Sequence, residues 1–564
     1  MNQLNGAEAL VRMLQLHGVK VIFGLCGDTS LPFYDALARL DHGMTHVLTR
    51  DERSAAYMAD AYARVTGKVG VCEGPSGGGA TYILPGVVEA NESSIPVLAI
   101  TSDISVSSRG RFTLTELDQK ALFAPLTKWN AVIDRGADIP RTIRAAFSAM
   151  TTGTPGAAHI GLPFDVQKEA VDETDLWADE SLGRYPARRI APDIQAVKRA
   201  AGIIREANSP LFICGGGVVI AGAEDELRTL AERIGAPIAT TISGQGSIAE
   251  THELAVGVVG SNGGVAETRA VVDEADLIIF VGCRAGSVTT ERCRHPEPGA
   301  TKVIHVDTNP AVMDATYQTD CAIIGDAKLA LAAIDMLLAP DFKNPPQRTL
   351  NAAFIADRKK AKFDAFHALA NSDDTPIRPE RIVADLQAVL PDDAIVIADP
   401  GTPCPYFSAF YEFKRSGRHF LSNRAHGALG YALPAAVGAH YGRPDATVVA
   451  IMGDGAFGFC VGELETMTRL NIPATFIVVS NSVFGWIKAG QKTEYDARYF
   501  SVDFTRTDHA KVAEAYGVKA WRVSDPADLR AALAEAVAHD GPALVDIIAQ
   551  PLQDANAPVS EWVA

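Results

Sequence analysis

Short apolar runs rich in Val and Ile recur along the chain, alternating with stretches whose apolar residues return every three or four positions. The first pattern predicts buried strands, the second amphipathic helices. The clearest case is the strand predicted at 446–452, followed by a tight turn at Gly453-Asp454-Gly455, a helix at 462–470 and a second strand at 474–480 that stops at Asn481. Asp454 and Asn481 thus both fall at strand C-termini. In a parallel sheet that edge is where ligands bind.

The rest of the chain repeats the alternation. Ala7, Leu10, Val11 and Leu14 predict a helix over 5–18, followed by strands at 20–24 and 46–49, an Ala-rich helix at 54–64 and a strand at 95–100. Further strands are predicted at 210–214, 276–281, 302–307 and 394–398, with polar linkers at 177–193 and 338–380. The predicted fold is therefore α/β: three doubly wound parallel-sheet domains at 1–175, 190–340 and 375–550, with a C-terminal tail at 551–564 expected to close over a cleft.

Composition narrows the classes. A chain of 564 residues with 47% hydrophobic and 21% charged residues can bury several cores, and its net charge of −17 argues against a general nucleic-acid partner. The eight cysteines are scattered, without zinc spacing, which fits free thiols in a reducing cytoplasm. The N-terminus lacks a basic segment followed by an apolar one, and no uninterrupted apolar stretch reaches the length of a membrane span. A cytoplasmic protein with no membrane partner is expected.

The candidate chemistry begins at Asp454. A carboxylate, the amide oxygen of Asn481 and a nearby main-chain carbonyl are hard oxygen ligands suited to Mg²⁺ or Ca²⁺, and Mg²⁺ usually arrives with a ligand's phosphates. Glycines let the main chain approach such phosphates, and a following helix aims its N–H groups at them. Taken alone, Gly-Asp-Gly is simply a turn; the Asn at the end of the next strand adds the second ligand. Glu52, at the junction of the 46–49 strand and the next helix, reads on its own as a first-turn acid favoured by the helix dipole.

Gly-Asp-Gly paired with Asn481 resembles the thiamine diphosphate motif of the 2-oxo acid decarboxylase and acetohydroxyacid synthase superfamily. The resemblance covers about residues 4–550 and implies Mg²⁺ held by Asp454, Asn481 and the carbonyl of Val483. It places cofactor contacts at Gly401, Thr402, Gly427, Leu429, Gly453, Gly455, Ala456, Phe484 and Gly485. The stretch around Arg50-Asp51-Glu52 is similar to the one carrying the family's glutamate, so Glu52 is expected to hydrogen-bond the aminopyrimidine and assist deprotonation of the thiazolium carbon. Residues 423–434 resemble the synthases' Gly-Thr-Met-Gly segment, with Leu429 at the Met position that props the bent cofactor. His426 beside it reads as a loop hydrogen bond, with action on substrate as the alternative.

Substrate-side positions depart from the family's patterns. Leu25-Cys26-Gly27-Asp28 is closer to the Leu-Pro-Gly-Asp of pyruvate decarboxylases than to the synthases' Tyr-Pro-Gly-Gly, and Leu114-Thr115-Glu116 replaces Phe-Gln-Glu. Asp28 and Thr115 are the candidates for steering the intermediate; the alternative is a turn Asp and a loop Thr. The central domain is similar to one that holds FAD, an adenine nucleotide or nothing. Here Arg284 is followed by Ala-Gly-Ser instead of acidic residues, so a structural role is the default and FAD the alternative. The resemblance implies decarboxylation of a 2-oxo acid and ligation of the resulting enamine to a carbonyl acceptor. Simple decarboxylation and cleavage of an acyl-CoA thioester are the alternatives, and a silent homologue is disfavoured by the intact Glu52. It further implies a homodimer or homotetramer with the active site between subunits.

Overall fold

The computed structural model describes residues 4–561. Three six-stranded sheets carry the fold, and every pairing within them is parallel. The first contains β1 (Val21–Gly24), β2 (Thr45–Leu48), β3 (Gly70–Gly74), β4 (Val97–Asp103), β5 (Trp129–Val132) and β6 (Ala158–Pro163), in the order β2-β1-β3-β4-β6-β5. The second contains β7 (Pro210–Cys214), β8 (Ile238–Thr240), β9 (Ala255–Val258), β10 (Leu277–Val281), β11 (Lys302–Asp307) and β12 (Cys321–Ile324), in the order β9-β8-β7-β10-β11-β12. The third contains β13 (Ile395–Ala398), β14 (Phe420–Leu421), β15 (Val448–Gly453), β16 (Ala474–Ser480), β17 (Lys519–Val523) and β18 (Ala543–Ile548), in the order β14-β13-β15-β16-β18-β17. The first and third sheets therefore share one strand order, while the central one is wired like a dinucleotide-binding sheet.

Helices cover both faces, so inner strands such as Pro210–Cys214 and Leu277–Val281 are buried at every residue instead of alternating. β10, Leu-Ile-Ile-Phe-Val, is buried at every residue. Two hydrophobic clusters flank the central sheet, one with Leu277, Ile279 and Val281 and the other with Ile278 and Phe280, as the two-residue side-chain period requires.

By contacts the chain forms two compact units. One comprises residues 1–188, 423–445 and 460–472; the other comprises 189–422, 446–459 and 473–564. Within the first, the helices Glu52–Thr66 and Ala432–Gly442 pack so closely that a Cβ on Gly438 would stand 2.0 Å from the Met58 carbonyl oxygen. The Tyr431 hydroxyl donates to Asp60 at 2.7 Å across the same contact.

Several local expectations change. The 338–380 stretch contains the helix Ala352–Ala370, whose charged composition hides a buried Lys362 attracted to the buried Glu250, while Lys359 Nζ donates to the Glu250 carbonyl at 2.5 Å. Gly453-Asp454-Gly455 is not a tight turn: β15 runs through Gly453 directly into the helix Asp454–Cys460. Neither glycine has a positive φ; Gly455 instead makes room for the Phe484 ring, whose Cε1 would lie 2.7 Å from an added Cβ.

The described part of the tail is fastened within the second unit. Gly263 N–H donates to the Pro558 carbonyl at 2.9 Å, the Ser560 hydroxyl to Glu291 at 2.9 Å, and Glu561 pairs with Arg292 and Arg294. Residues 562–564, part of the predicted tail, lie outside the described residues. Among the described residues no helix is long and apolar enough to cross a membrane. All eight cysteines are free, and Cys72, Cys214, Cys283, Cys321, Cys404 and Cys460 are buried.

Candidate active site

Wiring locates the first group of residues. In the third sheet β13 and β15 are neighbours, but the chain leaves them in opposite directions, which opens a crevice at their C-terminal ends. Gly401, with φ +101°, follows β13 and leads into Thr402 at the start of the helix Pro403–Phe410. Gly485 approaches from the other side, and a Cβ there would stand 3.3 Å from Thr402 Oγ1.

Asp454 follows β15 and is buried. One carboxylate oxygen accepts the N–H of Gly455 at 2.9 Å; the other accepts those of Asn481 at 2.9 Å and Ser482 at 2.6 Å. Burial raises this carboxyl above the usual range, opposed by the N–H groups of Ser482, Asn481 and Gly455. Beyond it, Phe484 N–H donates to the Val502 carbonyl at 2.9 Å and Phe504 N–H to the Ser482 carbonyl at 3.1 Å. That pair leaves the Val483 carbonyl unused. Ala456 is buried two residues along the helix that Asp454 begins.

A divalent cation fits these donors. A carboxylate offers about four lone-pair positions and three are taken here, so one remains for a cation, and the Asn481 amide and the Val483 carbonyl are oxygen donors of the same hard kind. Among the described residues no group of three or more His, Cys, Asp or Glu is placed to hold a metal ion; the donors here include a single carboxylate.

The second group lies in the first unit. Glu52 is the first residue of the helix Glu52–Thr66, whose preceding residue, Asp51, accepts the Arg53 N–H at 2.8 Å. Its side chain occupies space that two glycines leave open: Cβ atoms on Gly74 and Gly79 would stand 3.2 Å from Glu52 Cγ and 3.1 Å from Oε1. Burial pushes the Glu52 carboxyl up, and the charges of Asp51 and Glu73 add to it. Glu73 is itself buried and bonded by the Tyr34 hydroxyl.

Asp28 and Thr115 are brought together. Asp28 is exposed in the short turn Asp28–Ser30, next to Thr29, whose hydroxyl donates to Ser76 at 3.0 Å, and Ser76 Oγ lies 2.7 Å from Thr115 Oγ1. Gly427 and Leu429 also belong to this unit, on a loop fixed from below. The buried Glu89 carboxylate accepts the N–H groups of His426 at 2.7 Å and Ala425 at 3.2 Å. Asn423 Nδ2 donates to the Ala428 carbonyl at 2.6 Å. The loop bond at His426 is thus made by its main chain.

The predicted residues accordingly form two sets. Asp28, Glu52, Thr115, Gly427 and Leu429 belong to the first unit; Gly401, Thr402, Gly453, Asp454, Gly455, Ala456, Asn481, Val483, Phe484 and Gly485 belong to the second. Sequence reasoning missed Glu89, signalled only by its acid in an otherwise apolar helix. It also missed the buried group behind Asn481, where Ser480 Oγ lies 2.9 Å from His509 Nδ1 and 2.5 Å from Asp546. That group is not a nucleophile with its base, because the serine proton goes to the carboxylate and Asp546 also takes the main-chain N–H of His509 at 3.1 Å.

In the central sheet the main chain following β7 packs closely against that following β10. A Cβ on Gly215 would stand 2.2 Å from the Gly282 carbonyl oxygen, and one on Gly217 2.5 Å from the Gly282 Cα.

Comparison with known proteins adds to this geometry. Three family descriptions match in order: thiamine pyrophosphate enzyme N-terminal TPP binding domain over 4–122, central domain over 197–334 and C-terminal TPP binding domain over 399–547. The chain is 37% identical to a probable acetolactate synthase large subunit of Methanocaldococcus jannaschii, covering 98% of this chain and 93% of that one. It is 32% identical to an acetolactate synthase of Arthrospira platensis, covering 97% and 94%. It is 30% identical to the acetolactate synthase isozyme 3 large subunit of Escherichia coli, covering 95% and 93%.

Proposed function

Because this chain belongs to the thiamine pyrophosphate enzyme family, we propose that it decarboxylates a 2-oxo acid and ligates the remaining fragment to a carbonyl acceptor, as the names of its acetolactate synthase relatives suggest. The observation that carries the chemistry is the buried Glu52 carboxyl, raised by burial and seated over Gly74 and Gly79. Thiamine diphosphate, when bound, would supply the carbon nucleophile and electron sink that decarboxylation of a 2-oxo acid needs. Glu52 would hold the proton shared with the aminopyrimidine; a carboxyl whose affinity for a proton is raised by burial is better suited to donating it and taking it back. Asp454, Asn481 and the Val483 carbonyl hold Mg²⁺, and Gly401, Thr402, Gly453, Gly455, Ala456, Phe484 and Gly485 shape the diphosphate crevice. Gly427 gives Leu429 its approach to the cofactor, and Asp28 and Thr115 orient the substrate.

The exposed Asp28, the neighbour in sequence of Thr29, favours a second reading, in which the fragment is protonated instead of ligated. Mass spectrometry of products from a panel of 2-oxo acids, with and without aldehyde or 2-oxo acid acceptors, separates them. Hydroxy ketones or hydroxy oxo acids support ligation, and free aldehydes alone sink it.

The assignment extends to architecture. The proposed domain limits are 1–175, 190–340 and 375–550 with a tail at 551–564, and the three separate sheets support that division. The backbone-to-backbone glycine contact supports a structural central domain without FAD. An assembly of at least two copies, with the active site shared between subunits, is supported by Phe112 and Leu114, which stand 100% and 87% exposed on the Thr115 loop. The buried free thiols support a cytoplasmic location.

A further inference from the structure

An unbroken row of side-chain hydroxyls joins the Thr115 loop to the interior of the first sheet. Thr115 Oγ1 lies 2.7 Å from Ser76 Oγ, Ser76 Oγ accepts from Thr29 Oγ1 at 3.0 Å, and Thr29 Oγ1 lies 2.7 Å from Ser102 Oγ. Ser76 and Ser102 are buried, whereas Thr115 is exposed.

The row has a direction. Each hydroxyl owns one proton, and Thr29 gives its proton to Ser76. Its contact with Ser102 is therefore one in which Ser102 donates. Ser76, already accepting from Thr29, has its own proton left for Thr115. The Thr115 proton is then free to point outward, at the end of a chain whose members polarise one another.

Independent features hold that end in place. Thr115 has φ +69°, a left-handed conformation that a β-branched residue adopts only when its surroundings force it. Gly77, with φ +67°, lies beneath it, and a Cβ there would stand 2.7 Å from Thr115 Cβ. The Glu116 carboxylate closes the loop by accepting the N–H groups of Gly110 at 2.5 Å and Thr113 at 3.2 Å. Strain, a glycine cradle and a directed hydroxyl row converge on one O–H group.

We propose that the Thr115 hydroxyl donates a hydrogen bond to the carbonyl oxygen of the acceptor, and that Ser76, Thr29 and Ser102 are positioning residues that aim and polarise it. The inference rests on the carboligase reading above. As the new carbon–carbon bond forms, the acceptor carbonyl oxygen gains negative charge, and a fixed donor pointing at it is worth more then than before. Protonation of the fragment develops no such charge, so the row favours ligation.

The test measures ligated product against free aldehyde, each normalised to CO₂ released, together with acceptor kcat and KM, in the parent enzyme, Ser76→Ala, Thr29→Val and Ser76→Thr. The expected result is a two- to tenfold fall in the ligated fraction for Ser76→Ala and Thr29→Val, about the worth of one neutral hydrogen bond. It should appear in kcat for ligation more than in KM, with recovery in Ser76→Thr. An unchanged ratio in folded Ser76→Ala overturns the proposal; if that variant does not fold, Thr29→Val decides by the same readout. A parent that releases aldehyde alone also overturns it. A parent that releases no CO₂ from any 2-oxo acid removes the functional reading itself.

Discussion

The Asp454 carboxylate accepts the main-chain N–H of Ser482 at 2.6 Å, so the acid at the end of one strand fixes the turn that follows the next. The carboxylate is thus an anchor as well as the proposed metal ligand. Asp454→Asn keeps the shape but loses the charge and faces at least one N–H with an amide donor. Hydrogen bonds to a charged group contribute roughly 1.5–3 kcal/mol each. The variant should melt earlier and show a weaker Mg²⁺ dependence of thiamine diphosphate binding, read by titrating Mg²⁺ against Trp fluorescence. Unchanged Mg²⁺ dependence would argue against the assigned ligand.

Gly79 and Gly78 are adjacent but not equivalent. A methyl group on Gly79 would meet Pro75 Cδ at 2.5 Å and Glu52 Oε1 at 3.1 Å, whereas one on Gly78 would find nothing nearer than Tyr82 at 3.8 Å. Gly79→Ala should cut turnover more than tenfold and cost about 1–3 kcal/mol of stability. Gly78→Ala should change neither by much. Steady-state rates and thermal melts of the pair check this, and equal effects would contradict the placement of Glu52.

Glu463 provides a pH dependence whose sign can be worked out. It is buried, accepts the Arg50 N–H at 2.9 Å and the Thr466 hydroxyl at 2.7 Å, and burial raises its carboxyl from the usual 4.5 to about 7. A folded value above the unfolded one gives stability that is present below about pH 4.5 and lost as pH rises towards 7, roughly 3 kcal/mol in all. Glu463→Gln does not titrate. Its melting temperature relative to the parent should therefore rise between pH 5 and pH 8, and a constant difference would refute the buried acid.

The central domain predicts the colour of the protein. Gly215 and Gly217 pack against Gly282 main chain to main chain, which supports the proposed structural role of that domain. Protein purified without added cofactor should show no flavin absorbance in the visible range, and none should appear after incubation with FAD and desalting. A stoichiometric flavin spectrum would overturn the structural reading of that domain.

Much of this was legible in the sequence. The strand at 474–480 is found at Ala474–Ser480 and that at 302–307 at Lys302–Asp307, because β-branched runs bounded by polar residues leave few alternatives. The helix Asp454–Cys460 was not legible, since Gly-Asp-Gly is a local turn signal and the reason for Gly455 is the Phe484 ring, distant in sequence. In the predicted linker at 338–380 the alternating Lys and Ala residues signal a helical stretch, found at Ala352–Ala370, but not the burial of Lys362 near Glu250. Glu52 and Asp454 were found by motif, whereas Ser76, Thr29 and Glu89 act through contacts that only the fold creates.

The close contact of Gly438 with Met58 has a consequence for synthesis. The helix Glu52–Thr66 buries Ala55, Ala56, Met58 and Ala59, yet its partner Ala432–Gly442 leaves the ribosome several hundred residues later. At typical translation rates that is a delay on the order of half a minute or more, during which the apolar face waits uncovered. The N-terminal third is therefore a poor candidate for production as a fragment. Chaperone supply and elongation rate, more than equilibrium stability, should govern how much of the full chain is recovered in active form.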